Sequence, residues 1–174
     1  MLSREPEELF NRFVSDFPAL KLKWSASWTD PLIQYFVNLG KSEGFGTYCK
    51  NDPYEYLLDL CWYYSQEKPP LNWMELALES EMSQETSALM EDFAKLVDIK
   101  AYTKVFLGFP RMDEVKTFLK EASEMVIYNP LKLHTEKYLI ILLTETRRHF
   151  TFTGFSIDSV GNLIELGSKE FDKL

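Results

Sequence analysis

The segment 102–110, YTKVFLGFP, places the tightest limit on what this chain can fold into. It is short, mostly apolar and closed by a proline, which is typical of a strand buried inside a sheet. A sheet that is covered on both faces needs a layer of other elements on each side. We therefore predict a central sheet with helices on both faces.

The first half of the chain predicts two helices followed by strands. Residues 5–16 carry apolar side chains at helical spacing, and Asp30 with Pro31 gives a suitable cap and first position for a second helix. Residues 45–81 are rich in aromatic and β-favouring side chains and are interrupted by the loop QEKPP at 66–70. This stretch predicts a three-stranded antiparallel meander.

The second half predicts a crossover helix, the strand described above, another helix, a hairpin and a short last strand. These lie at 83–101, 102–110, 112–126, 137–158 and 161–167. The order α-α-β-β-β-α-β-α-β-β predicts an α+β, or mixed α/β, domain of three layers. A chain of 174 residues with 45% apolar side chains is expected to form a single domain, 1–174.

Composition and charge exclude several classes of protein. The net charge of −8 argues against broad, nonspecific nucleic-acid binding, which needs clustered Lys and Arg. No apolar run reaches the roughly 20 residues of a membrane helix, and the acidic start MLSREPEELF differs from a secretory signal. Cys49 and Cys61 are too few for a disulfide framework or a zinc cluster. We expect a cytoplasmic protein without a membrane partner.

Three acidic residues stand in or beside apolar strands. Asp59 lies within YLLDLCWYY, and Glu79 and Glu81 end LNWMELALESE. If these strands pair through the loop 66–70, Asp59 and Glu79 lie across from each other, with Glu81 two positions further along. Like charges across strands destabilise a sheet, and a divalent cation such as Mg²⁺ would remove that penalty.

Structural explanations for the same acids stay open. Glu81 fits a strand exit in water, and Glu79 fits an inward-pointing edge charge that opposes aggregation. Asp59 fits an acceptor for hydrogen bonds from a neighbouring turn. A further basic island, 147–149, fits either the polar tip of a hairpin or a contact with phosphate.

The pieces LLDLCW, LALESE and DFAKLVDIKAYTKVFLGF, over about 31–109, resemble the PD-(D/E)XK nuclease superfamily, which includes restriction endonucleases and many repair nucleases. The family core has the order α-β-β-β-α-β. The resemblance implies that Asp59 is the metal ligand of the second strand and that Glu79 opens the (D/E)-x-K motif. Glu81 stands where the family usually has lysine, and Lys95 on the following helix is the implied substitute.

The resemblance also implies a reaction. Mg²⁺ or Mn²⁺ on Asp59 and Glu79 would assist phosphodiester hydrolysis in nucleic acid, with DNA as one candidate substrate and the choice between DNA and RNA left open. Glu81 would be a further ligand or would orient the attacking water, and Lys95 would stabilise charge on the phosphate. The family's first helix often carries an acid near the site, for which Glu43 is the candidate.

Two other functions remain open at this stage. A catalytically inactive relative of the same fold would serve as a binding or assembly module for protein partners, which suits the acidic charge and Glu81 in the place of lysine. The other alternative is an unrelated α+β domain that binds a protein partner. Without a catalytic role, Lys95 would be a solvated helix lysine paired with Glu91 or Asp92. An acidic nuclease would itself need a homodimer or a protein partner to supply basic surface.

Overall fold

The structure is a computed structural model that describes residues 5–23, 27–50, 57–64 and 74–173. Within these residues, seven strands form one sheet in which spatial order follows chain order. Strands β1 to β7 are Gly46–Cys49, Leu60–Tyr63, Met74–Glu81, Ala101–Gly108, Lys137–Glu145, His149–Asp158 and Leu163–Asp172. Helices α1 to α4 are Pro6–Asp16, Thr29–Ser42, Thr86–Asp98 and Val115–Tyr128, with a short 3-10 helix at Phe17–Leu20.

The sheet is mixed. Strand β4 pairs in parallel with β3 and with β5, whereas all other neighbouring strands are antiparallel. Parallel neighbours need a long crossover, and α3 and α4 supply the two crossovers. The predicted meander, crossover helix and following strand are therefore confirmed.

Two apolar layers cover the two faces of the sheet. Alternate residues of β5 divide between them, because successive side chains in a strand point to opposite faces. Leu139, Ile141 and Leu143 join the layer of α1 and α2. Tyr138, Ile140 and Leu142 join the layer of α3 and α4. This two-sided burial explains the continuous apolar run of the central strands and confirms the predicted three-layer α+β domain.

Some predicted boundaries need correction. Helix α2 begins at Thr29, so Asp30 is not its cap, and the Asp30 carboxylate instead lies 3.5 Å from Lys50 Nζ. Strand β7 runs to Asp172, well beyond the predicted 161–167, because Phe171 packs against the core. The predicted loop 66–70 and the predicted strand residues 54–56 and 71–73 lie outside the described residues.

None of the helices in the described ranges is both long enough and apolar enough to span a membrane.

Helix α2 and strand β2 approach each other closely at Trp62. The indole Nε1 of Trp62 donates a hydrogen bond to the Phe36 carbonyl at 3.0 Å. A Cβ atom on Gly40 would lie 2.6 Å from the same nitrogen. Glycine is therefore required at this helical position, because the ring it contacts is itself held by the helix.

We expect Gly40→Val to destabilise the fold by about 2 kcal/mol or more, since extra atoms in a packed contact force side chains and backbone apart. Urea unfolding measures the change. The control is Lys41→Val, which places the same residue at the next, exposed position and is expected to cost about 0.5 kcal/mol. Equal losses in the two variants would mean that the Trp62 contact does not limit the packing.

A buried lysine forms a polar network inside the layer of α3 and α4. Lys104 of β4 is fully buried, and its Nζ donates to Glu136 Oε2 at 2.8 Å, to Tyr138 Oη at 3.1 Å and to the Val97 carbonyl at 3.3 Å. Asn129 Nδ2 donates to the same carbonyl at 2.9 Å. Burial lowers the pKa of Lys104, against the opposing effect of Glu136. The network ties the end of α3 to β4 and to the start of β5.

Removing Lys104 leaves the buried Glu136 carboxylate without its counterion, although Tyr138 Oη still donates to it at 3.1 Å. We expect Lys104→Met to lower the free energy of unfolding by about 3 kcal/mol or more. The triple variant Lys104→Met, Glu136→Met, Tyr138→Phe replaces the three buried polar side chains of the network and should regain most of that loss. Urea unfolding of both variants checks this. A triple variant that is less stable than the single one would contradict it.

Candidate active site

Backbone pairing places Asp59 beside Glu79. Asp59 immediately precedes β2, and the register of β2 with β3 pairs Leu60 with Leu78. The next pair outward along the two strands is Asp59 with Glu79. The Asp59 carboxylate accepts a hydrogen bond from the Ser80 backbone amide, Oδ2 to N, at 2.9 Å. The side chain thus continues the strand contact at the point where β2 ends.

Glu79 is the most buried acid of this pair, with a side chain 3% exposed. In the part of the chain that the structure describes, no hydrogen-bond donor reaches its buried Oε1. Its Oε2 lies 3.8 Å from Lys95 Nζ. Burial and then the charge of Asp59 raise the pKa of Glu79 to about 8, although Lys95 acts in the opposite direction. Much of the Glu79 population therefore holds a proton near neutral pH.

Asp59 is held in a similar balance. Burial raises its pKa, while the Ser80 amide and Lys50 oppose the shift. Lys50 Nζ lies 3.9 Å from Asp59 Oδ1 and 3.5 Å from Asp30 Oδ1. Lys50 therefore lies between Asp59 and Asp30, which is exposed in the first turn of α2.

Helix α3 brings one more acid and one cation over Glu79. Lys95 Nζ lies 2.6 Å from Asp92 Oδ1, one helical turn earlier, and the hydrogen bond to Asp92 raises the pKa of Lys95. Asp92 also acts electrostatically on both Asp59 and Glu79. Lys95 therefore does both things that the sequence suggested: it pairs with Asp92 on the helix surface, and it lies near Glu79 of the acidic pair.

Glu81 and Glu43 are placed differently. Glu81 is the last residue of β3, and its Oε1 accepts a hydrogen bond from the Ser83 amide at 2.5 Å, in the turn before α3. Glu43 is the C-terminal cap of α2, and its charge acts on Arg12. From α2 it is Asp30, through Lys50, that approaches Asp59.

Sequence reasoning missed Asp92 and Lys50 as neighbours of the site. Asp92 carried a usable signal, since it lies three positions before Lys95 and therefore on the same helical face. Lys50 carried none, because its contact with Asp59 depends on the pairing of β1 with β2.

The donor set fits a hard divalent cation in part. Among the described residues, no three His, Cys, Asp or Glu side chains already stand close enough together to hold a metal ion. Mg²⁺ commonly takes only one or two carboxylates and completes its shell with water and phosphate oxygens. Asp59 and Glu79 would supply two such carboxylates, and no donor in the described part of the chain reaches the buried Glu79 Oε1.

The basic island stands in the turn after β5. Arg147 and Arg148 are exposed in the turn between β5 and β6, and His149 Nδ1 lies 2.9 Å from Asp172 Oδ1 of β7. The island is therefore the polar tip of a hairpin, as one of the two predicted alternatives states.

No protein-family model matches this chain, and no curated protein matches it either.

The raised pKa of Glu79 makes stability depend on pH in a defined direction. The folded protein holds the Glu79 proton up to about pH 8, whereas the ordinary value is 4.5. The stabilisation that comes from binding this proton is fully present below the ordinary pKa of Glu79. It is lost as the pH rises through the pKa of the folded protein. We expect Glu79→Gln to match the wild type at about pH 4.5 and to be more stable at about pH 9, by on the order of 1–3 kcal/mol.

Urea unfolding across this pH range measures the difference. Glu81→Gln is the matched control, since it removes a half-buried carboxylate two positions along the same strand. A constant difference between Glu79→Gln and the wild type at all pH values would show that Glu79 titrates normally.

Proposed function

We propose that this protein is a metal-dependent nuclease of the PD-(D/E)XK type that hydrolyses phosphodiester bonds in DNA. The observation that carries the proposal is the buried Glu79 Oε1, which has no hydrogen-bond donor among the described residues. It belongs to a carboxylate placed beside a second one, Asp59, with Lys95 at 3.8 Å from its other oxygen.

A purely structural role explains this arrangement less well. Buried polar atoms in proteins are nearly always hydrogen-bonded, and an exception calls for an explanation such as a bound ion. The charge of Asp59 raises the pKa of Glu79, so the two carboxylates are costly to ionise together unless a cation joins them. A divalent cation would fill both needs at once.

The residues take the following roles in the proposal. Asp59 and Glu79 hold Mg²⁺ or Mn²⁺, which supplies Lewis-acid activation of the phosphate and of a water molecule. Lys95 is 45% exposed and stands over Glu79, where it stabilises the charge that develops on the phosphate. Asp92 keeps the Lys95 ammonium in place. Glu81, at the end of the same strand, orients the water or adds a ligand.

The acidic charge bears on how substrate is bound. With a net charge of −8, the chain has little electrostatic attraction for DNA as a whole. We propose that a second copy or a protein partner supplies further basic surface, and we expect the protein to act in the cytoplasm. The same charge, with Glu81 in the place of the usual lysine, favours the second candidate function, an inactive module of this fold that binds protein partners.

Calorimetric titration of Mn²⁺ separates the two functions. We expect the wild type to bind Mn²⁺ and the double variant Asp59→Asn, Glu79→Gln to lose binding. These substitutions keep the side-chain shapes, and an Asn oxygen still accepts the Ser80 amide. Lys95→Ala should keep metal binding but lower the rate of DNA cleavage by about 10²–10³-fold. Lys100→Ala, an exposed lysine just beyond the end of α3, is the control.

If the wild type binds no metal and cleaves no DNA, the acids are structural and the inactive module is the better description. If metal binds without cleavage, the site is a metal centre with another purpose.

A further inference from the structure

We propose that Lys50 is a second phosphate-binding residue of this site, which contacts a phosphate of the nucleic-acid strand beside the one that is cleaved. The inference rests on the proposed nuclease function. It assigns Lys50 a positioning role for substrate, separate from the charge stabilisation given to Lys95.

The backbone holds Lys50 at the edge of the acidic pair. Lys50 follows β1 directly, and its amide donates to the Asp59 carbonyl at 3.0 Å, one step beyond the pairing of Cys49 with Leu60. The root of the side chain is therefore as well fixed as a strand residue. Its ammonium lies on the Asp59 side of the pair, whereas Lys95 lies on the Glu79 side.

Among the residues that the structure describes, the Lys50 ammonium has two acid neighbours and neither is close. Its Nζ lies 3.5 Å from Asp30 Oδ1 and 3.9 Å from Asp59 Oδ1. A charge-assisted hydrogen bond is typically about 2.7–2.9 Å long. Lys104 and Lys95 are at least this close to their acids, at 2.8 and 2.6 Å. The Lys50 side chain is 37% exposed and the Asp30 side chain 81%, and pairs of this kind add little to stability.

Metal binding would change what Lys50 is paired with. In the protein alone, Lys50 is a partial counterion of Asp59. If Asp59 held a divalent cation, its charge would be neutralised by that ion, and the Lys50 ammonium would be left for another anion at the same place. The anion that a metal on Asp59 would bring is a phosphodiester, whose neighbouring phosphates repeat the same charge along the strand. The ligand class is therefore a nucleic-acid strand.

The low basic content of the chain makes this contact measurable. The affinity of a protein that neutralises few phosphates depends only weakly on salt concentration. Each lysine that contacts a phosphate then accounts for a large fraction of that salt dependence. Losing one phosphate contact lowers the slope of log affinity against log salt concentration by about 1.

The test measures DNA binding by fluorescence anisotropy with a labelled duplex at several salt concentrations, together with Mn²⁺ titration of each variant. We expect Lys50→Gln to weaken DNA binding by about 5–10-fold and to lower the salt slope by about 1, with Mn²⁺ affinity unchanged or raised. Lys50→Arg should restore DNA affinity. Lys120→Gln removes an exposed lysine that is paired with Glu124 on α4 and should change neither slope nor affinity.

Each other outcome has a distinct meaning. If the wild type binds DNA and Lys50→Gln keeps its affinity and slope, the role of Lys50 is wrong and the nuclease proposal stands. If Lys50→Gln loses Mn²⁺ binding, Lys50 shapes the metal site instead, which overturns the inference. If the wild type binds neither DNA nor Mn²⁺, the proposed function fails and the inference fails with it.

Discussion

Strand β4 runs through the middle of the sheet between two parallel neighbours, with apolar side chains on both faces. Such a strand is stable only between two layers, and this requirement determines where the helices lie. Helix α3 connects β3 to β4, so it must cross the face that carries Glu79. Lys104 is a buried charged residue inside this layer, and its bonds to Glu136, Tyr138 and the Val97 carbonyl hold the end of α3 against the sheet. The position of Lys95 over Glu79 depends on that anchoring.

The same layering makes the pair of Asp59 and Glu79 energetically costly to ionise. Glu79 lies under α3, where water cannot solvate its charge, and Asp59 adds a second carboxylate beside it. Lys95 and Lys50 offset only part of this cost, because each shares its charge with another acid, Asp92 or Asp30. Sites that are preorganised for a ligand often carry such a stability cost, which binding of the ligand repays.

The sequence predicted the order of elements well because hydrophobic periodicity reports which faces are buried. It also led to the pairing of Asp59 with Glu79, since a hairpin-like connection between two short strands limits their register. Asp59 lies just outside β2 instead of within it, because its side chain takes over the contact with the Ser80 amide. The chain pattern did not reveal the partners of Lys104 or Lys50. Glu136 is 32 residues from Lys104, and no local spacing links two positions so far apart.

The acidic pair lies where the two shortest strands of the sheet meet the longer strands nearer its centre. Strands β1 and β2 have only four residues each and form one edge, whereas β3 and β4 have eight and lie further in. Short edge strands open locally at a lower free energy than the centre of a domain. Detachment of β2 would carry Asp59 away from Glu79 and would break the contact of Trp62 with α2, while the parallel strands β3, β4 and β5 stay paired. On heating, the site would therefore come apart before the domain does, and a ligand that joins the two carboxylates would protect the backbone amides of β1 and β2 from hydrogen exchange.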